Sequence, residues 1–222
     1  MATKLAPIEH SRRTFLPAAG RDWLLPFYDP FVKLLGGDQA RQRLLDQAAL
    51  QAGHRVLDIG CGTGTFAVLI KRLHPDVEVI GLDPDPKALA RAHRKAEQDA
   101  VTVEFDQGFS DTLPYAEATF DRAFSSYMFH HLEAEEKAKT LREVRRVLKP
   151  GGSLHLLDFE EATSSDGGFM RWLHAHHRLQ GNSADQLLAL MRQAEFTDPH
   201  TTGRGAMFFG LMAYVYYQAS TS

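Results

Sequence analysis

Val56-Leu57-Asp58-Ile59-Gly60-Cys61-Gly62-Thr63-Gly64 is the stretch on which the reading of this chain turns. It begins as a short buried strand carrying an acid and continues as three glycines at alternate positions. Thr65-Phe66-Ala67-Val68-Leu69-Ile70 follows directly as the start of a helix. Strand, glycine loop and helix N-terminus in this order form a cradle for a nucleotide-like ligand. The glycines let backbone N–H groups approach closely, and the helix end adds partial positive charge.

Further along, Val77-Glu78-Val79-Ile80-Gly81-Leu82 is a β-rich apolar run that ends at Asp83. A carboxylate at the tip of such a strand can accept both ribose hydroxyls of an adenosine. Asp83 also fits as a cap for a helix starting near Pro84, and both roles can hold. The dinucleotide fingerprint G-x-G-x-x-G is the nearest rival pattern. Gly60 and Gly62 satisfy it, but its third glycine position is Thr65, and Asp58 has no place in it.

The remaining periodicity predicts alternating helices and strands. Lys87 to Gln98 reads as a helix, Val101–Phe105 as a third strand, and Phe120–Ser125 as a fourth. Glu135 to Leu148 is amphipathic and stops at Lys149-Pro150-Gly151-Gly152. Ser153 to Phe159 is a fifth strand, a second helical stretch runs from Ala184 to Glu195, and Met207 to Tyr217 reads as one terminal strand. Such alternation implies right-handed βαβ units and a parallel sheet.

The D-x-G-x-G-x-G run, Gly108-Phe109-Ser110 with Leu113-Pro114-Tyr115, Ser126 to Leu132, and Leu148-Lys149-Pro150-Gly151-Gly152 resemble, in order, landmarks of the class I S-adenosylmethionine (SAM) methyltransferases. The likeness covers roughly residues 50–160 and points to the small-molecule, methyltransferase type 11 or UbiE-like branch. It implies an α/β, Rossmann-like, doubly wound and mostly parallel seven-stranded sheet, with an antiparallel C-terminal strand and an N-terminal helical lid. One domain over 1–222 is expected, with 1–50 as lid segment and 160–198 as an acceptor-side insertion.

The resemblance implies SAM as cofactor, held by Asp58, Gly60, Cys61, Gly62, Gly64, Asp83 and Pro84. Gly108, Phe109 and Ser110 would lie on the adenine side, and Ser126, Tyr127 and Met128 at the exit of strand four. Tyr28 would reach the methionine end from the lid. Phe109 stands where many relatives carry an acid for the exocyclic amine, so adenine would be held by stacking or edge contact and backbone groups, with Asp106 or Asp111 as substitutes; Phe109 fits equally as a plain core residue. His130 and His131, at the acceptor mouth, are candidate general bases or loop-stabilising residues.

Composition narrows the classes. The chain has 222 residues, 44% of them hydrophobic and 24% charged, as expected for one globular domain. A net charge of −3 without a Lys/Arg-rich run gives no footprint for nucleic acid. Cys61 is the single cysteine and cannot form an internal disulfide. Ser11-Arg12-Arg13-Thr14-Phe15-Leu16 resembles an export motif but lacks the uninterrupted apolar stretch behind it. The C-terminal apolar run is too short for a bilayer, so a cytoplasmic protein without stable membrane insertion is expected.

Trp23, Leu24, Phe27, Tyr28, Phe31 and Leu34 approximate one helical face, suited to a lid, to packing, or to contact with a membrane surface. His174 and His177 share a helical face without an obvious third ligand, so no metal is expected. The loop after strand four lacks the [DNS]-P-P-[YFW] signature of amino-methylating nucleic-acid enzymes. The expected activity is in-line methyl transfer to an O, N, S or C nucleophile of a small, moderately lipophilic acceptor. A protein methyltransferase, a non-catalytic SAM-binding module and an NAD-dependent oxidoreductase are the alternatives. Oligomeric state is left open.

Overall fold

A computed structural model of the chain describes residues 37–160, 182–207 and 212–222. Its elements in chain order are α1 (Gly37–Asp46), β1 (Arg55–Ile59), α2 (Thr65–Leu73), β2 (Glu78–Asp83), α3 (Pro86–Gln98), β3 (Glu104–Gln107) and β4 (Phe120–Ser126). A 3-10 turn (Phe129–His131), α4 (Ala134–Val147), β5 (Leu148–Phe159), α5 (Ala184–Gln193), β6 (Thr197–Met207) and β7 (Met212–Ser220) complete them.

The strands form one seven-stranded sheet in the order β3-β2-β1-β4-β5-β7-β6. β3, β2, β1, β4 and β5 pair in parallel, whereas β7 inserts antiparallel between β5 and β6. The mixed, doubly wound sheet matches the expected fold class.

Alternation along the strands divides the interior into two cores. Val56, Val79 and Phe124 pack with Leu44 of α1, Phe66 of α2 and Ala92 of α3 on one face. Leu57, Ile80 and Ala123 pack with Leu141 of α4 and Leu187 of α5 on the other. Successive strand residues thus serve opposite layers, as a sheet covered on both sides requires. The strand order reverses between β1 and β4, which opens a crevice at their carboxyl ends.

Helix ends follow local chemistry. The Asp85 side chain accepts the Lys87 amide at 2.8 Å, with Pro86 in the first turn of α3. The helix therefore starts after Asp85, and Asp83 is not its cap. Reciprocal capping boxes, Glu133 with Glu136 and Ser183 with Gln186, open α4 and α5.

Four predicted boundaries are corrected. The third strand lies at Glu104–Gln107, because the Val101 amide still closes onto the Ala96 carbonyl at the end of α3. The fifth strand begins at Leu148, which pairs with Phe120 ahead of a register shift. The single terminal strand is two: β6 ends at Met207 and β7 begins at Met212. β6 escaped notice because Thr197 to Ala206 is a polar, largely exposed edge with Pro199 and two glycines, and has no apolar alternation. The helix predicted from Ala184 ends at Gln193. The helical stretch before it, with His174, His176 and His177, lies outside the described residues. Among the described residues no helix is long and apolar enough to cross a membrane.

Candidate cofactor and acceptor site

A cavity of about 470 Å³ occupies the crevice at the carboxyl ends of β1, β2 and β4. The glycine loop forms its floor. Gly60 and Cys61 both donate to the Leu82 carbonyl, at 2.8 and 3.0 Å, which pins the loop to β2. Gly62 has φ 53° and borders the cavity, and a Cβ added to it would meet nothing within 4 Å. Its backbone is therefore left open to a ligand.

Gly64 serves a different purpose. It is the N-cap of α2, and a Cβ there would come within 2.7 Å of the Ala92 Cβ and 3.0 Å of Phe105. The residue lets α2 pack closely on α3 and β3, and it does not border the cavity. A Cβ on Gly60 would collide with the Met128 side chain, so this glycine sets the spacing between loop and β4 exit.

Asp83, at the tip of β2, borders the cavity and bridges its parts. Oδ2 accepts the Gly62 amide and Oδ1 accepts the Asp85 amide, each at 2.9 Å. Burial raises its pKa to about 6, against the pull of those two amides. Each oxygen keeps further acceptor capacity, as a ribose diol would use. Pro84, Gly108, Phe109 and Ser110 continue the same wall. Ser110 Oγ lies 2.9 Å from Thr140 Oγ1. Asp106 and Asp111 do not border the cavity. Asp106 accepts the Tyr115 hydroxyl at 3.0 Å, and Asp111 accepts that of Thr112 at 3.1 Å.

Asp58 is buried in β1 and does not border the cavity. Its carboxylate oxygens make no hydrogen bond of full geometry, but the Ala67 amide in the first turn of α2 is near enough to favour the charged form. Burial lifts its pKa to about 7, with Arg41 working in the opposite direction.

The far wall comes from Ser126, Tyr127, Met128, His131 and Leu132. Tyr127 holds φ 58°, a left-handed conformation that costs a non-glycine residue on the order of 1 kcal/mol. Its amide donates to the Leu157 carbonyl at 2.8 Å, and its ring stacks on Phe159 at 4.8 Å. The Arg41 guanidinium lies over the same ring, 5.4 Å from its centroid.

The two histidines separate in role. His131 borders the cavity. His130 is buried and does not; its amide donates to Asp158 Oδ2 at 2.7 Å and its Nδ1 lies 2.6 Å from Oδ1. The two imidazole centroids are 4.0 Å apart. Tyr28 lies outside the described residues.

Sequence reasoning passed over Arg41 and Asp158. Asp158 had a usable signal, an acid near the end of an apolar strand as at Asp83. Arg41 had none, since one arginine on a charged helix is unremarkable.

The donors and acceptors on the cavity wall suit an adenosine-based ligand: an open glycine backbone, a carboxylate at the β2 tip and an apolar slot beside Leu82 and Phe109. Residues 56–152 match the family model described as a methyltransferase domain. Demethylmenaquinone methyltransferase of Thermus thermophilus is 39% identical over 139 residues, covering 61% of this chain and 62% of that protein. The Deinococcus radiodurans protein of the same name is 35% identical over 159 residues, covering 70% and 65% respectively. The chain thus spans slightly less than two thirds of the length of these relatives. The crystal structure of YcgJ from Bacillus subtilis superposes with a TM-score of 0.70 at 20% identity, over 83% of this chain and 98% of that one, a likeness of fold. Fold, cradle and sequence matches agree in supporting the class I SAM-dependent methyltransferase family, with a methyltransferase domain matched over residues 56–152.

Proposed function

We propose that the protein transfers a methyl group from SAM to an O, N, S or C nucleophile of a small, moderately lipophilic molecule. The observation that carries this reading is the shared cavity, with the glycine loop and Asp83 at one end and Tyr127, Met128, His131 and Leu132 at the other. When bound, SAM supplies a methyl group already activated on a sulfonium. The protein's task is then to bind, align and exclude water.

In this reading Gly60, Cys61, Gly62, Asp83 and Pro84 hold the adenosine, with Asp83 on the ribose. Gly108, Phe109 and Ser110 flank the adenine, which Phe109 meets by its ring and Ser110 by its hydroxyl or backbone. Asp58 and Gly64 act behind the wall, one by charge and one by packing. Ser126, Tyr127 and Met128 face the methionine portion. An aromatic face near a cationic sulfonium favours it electrostatically.

His131 is the group placed to accept a proton from an acceptor that must lose one. His130 is its positioning partner, fixed by Asp158 through amide and imidazole together. Two relatives are named for a demethylated menaquinone, which agrees with a moderately lipophilic acceptor.

The whole chain, 1–222, is read as one domain working in the cytoplasm, without stable membrane insertion. Residues 1–50 would serve as the lid that brings Tyr28 over the methionine end, and 160–198 as the acceptor-side insertion. α1 gives the lid a fixed base: the Tyr216 hydroxyl donates to the Ala40 carbonyl at 3.2 Å, and Arg43 lies over the Tyr216 ring.

Ligand-dependent thermal stabilisation tests the donor. SAM or S-adenosylhomocysteine should raise the melting temperature and NAD should not. The reverse pattern would overturn the reading.

A further inference from the structure

The cavity wall at Gly108, Phe109 and Ser110 belongs to no helix or strand. β3 ends at Gln107 and β4 begins at Phe120, and the chain between them is irregular. A loop of this kind, left loose, would have to be ordered by its ligand, and that ordering would be subtracted from affinity. Here it is fastened on both sides of the residues that meet the cavity. On one side the Gly108 amide donates to the Asp83 carbonyl at 3.2 Å.

The other fastening comes from α4. Thr140, Glu143 and Arg146 recur at every third residue and share one face of that helix. Glu143 Oε2 accepts the Leu113 amide at 2.8 Å. Arg146 donates through Nη2 to the Leu113 carbonyl at 3.1 Å and through Nη1 to the Tyr115 carbonyl at 2.8 Å. The two side chains also grip each other, Nε to Oε1 at 2.8 Å and Nη2 to Oε2 at 2.7 Å, a forked ion pair with little exposure. Both polar groups of the Leu113 backbone are thereby committed, while the Leu113 and Tyr115 side chains are buried. Thr140 is fully buried, and its hydroxyl lies 2.9 Å from that of Ser110, which borders the cavity. None of the three α4 residues borders the cavity itself.

We infer that Thr140, Glu143 and Arg146 are positioning residues for the methyl donor: they hold the 108–110 wall in its binding shape, so that α4 sets affinity for the adenosine part without touching it. This deepens the proposed use of SAM and rests on it. Loss of the ion pair frees the loop from Leu113 onward, whereas loss of the Thr140 hydroxyl loosens only Ser110.

The test is calorimetric binding of S-adenosylhomocysteine and 5′-methylthioadenosine, which share the adenosine and differ in the amino-acid end, to the full chain and its variants. Arg146→Met should weaken both probes by about ten- to thirty-fold, with stoichiometry unchanged. Arg146→Lys should lose less, since an ammonium keeps the charge but not the fork. Thr140→Val, which keeps the shape and removes one hydrogen bond, should weaken both by about three- to ten-fold. Thermal melts without ligand report whether each variant folds; if Arg146→Met does not, Thr140→Val carries the test. A purely stabilising role would lower Tm or the binding stoichiometry and leave Kd unchanged in the folded protein. That result, or a loss confined to S-adenosylhomocysteine, would overturn the inference and leave the SAM reading standing. Failure of the unmodified protein to bind either probe would overturn both.

Discussion

At the β1–β2 end of the cavity the wall is mostly backbone, whereas at the β4–β5 end it is side chains held by other side chains. The glycine loop is closed by amides on the Leu82 carbonyl and on Asp83. The far end depends on Tyr127, which stacks on Phe159 and lies under the Arg41 guanidinium, and on His130 clasped by Asp158. A backbone cradle recognises what every methyl transfer from SAM has in common. A side-chain wall can be rebuilt for each acceptor without disturbing the donor. The comparison therefore predicts that damage at one end changes donor affinity and damage at the other changes turnover.

The sharpest way to break this division is at His131. His131→Gln should lower kcat by about a hundred-fold or more for an acceptor that must be deprotonated. Affinity for S-adenosylhomocysteine should stay nearly unchanged. An equal loss of donor affinity would merge the two ends. At the other end, Asp83→Ala should weaken S-adenosylhomocysteine by about thirty- to a hundred-fold, since a charged acceptor of ribose hydroxyls is lost. Because the Asp83 pKa lies at about 6, donor affinity in the unmodified protein should also fall as pH drops below 6.

Two glycines refine the comparison within the cradle. Gly64→Ala should cost about 1–3 kcal/mol of stability by denaturant unfolding, because its Cβ meets Ala92 and Phe105. Gly62→Ala should cost only about 1 kcal/mol, from its φ alone, yet weaken the donor more than Gly64→Ala does. Equal effects on binding would mean that Gly62 does not face the ligand.

A further effect, visible only through its pH dependence, belongs to Asp58. Its folded pKa of about 7 exceeds the ordinary carboxylate value, so between about pH 4 and 7 the folded state holds more protons than the unfolded one. Stability of the unliganded protein should therefore decline as pH rises through that window. Asp58→Asn should raise Tm at pH 8 and leave it unchanged near pH 4. Absence of this pH dependence would show that the Asp58 charge is compensated before any ligand arrives.

The same contrast explains what sequence reading could reach. The loop Gly60–Gly64 and the strand tip at Asp83 were legible because turn geometry and strand ends are local, and their residue types follow from backbone demands. Most residues expected around the adenosine indeed border the cavity. The split between His130 and His131 was not legible, because two adjacent histidines differ only in where Asp158 arrives from β5. Arg41 was not legible either, since its burial arises from α1 packing on β5 and α2. β6 went unread because an exposed edge strand needs no apolar pattern.

Methyl transfer itself can be followed with an isotopically labelled methyl group passed from SAM into a cell extract, resolved into metabolite and macromolecule fractions. A labelled small molecule is expected that disappears with the Asp83→Ala protein and whose mass identifies the acceptor. Label confined to protein or nucleic acid, or no label transferred at all, would contradict it.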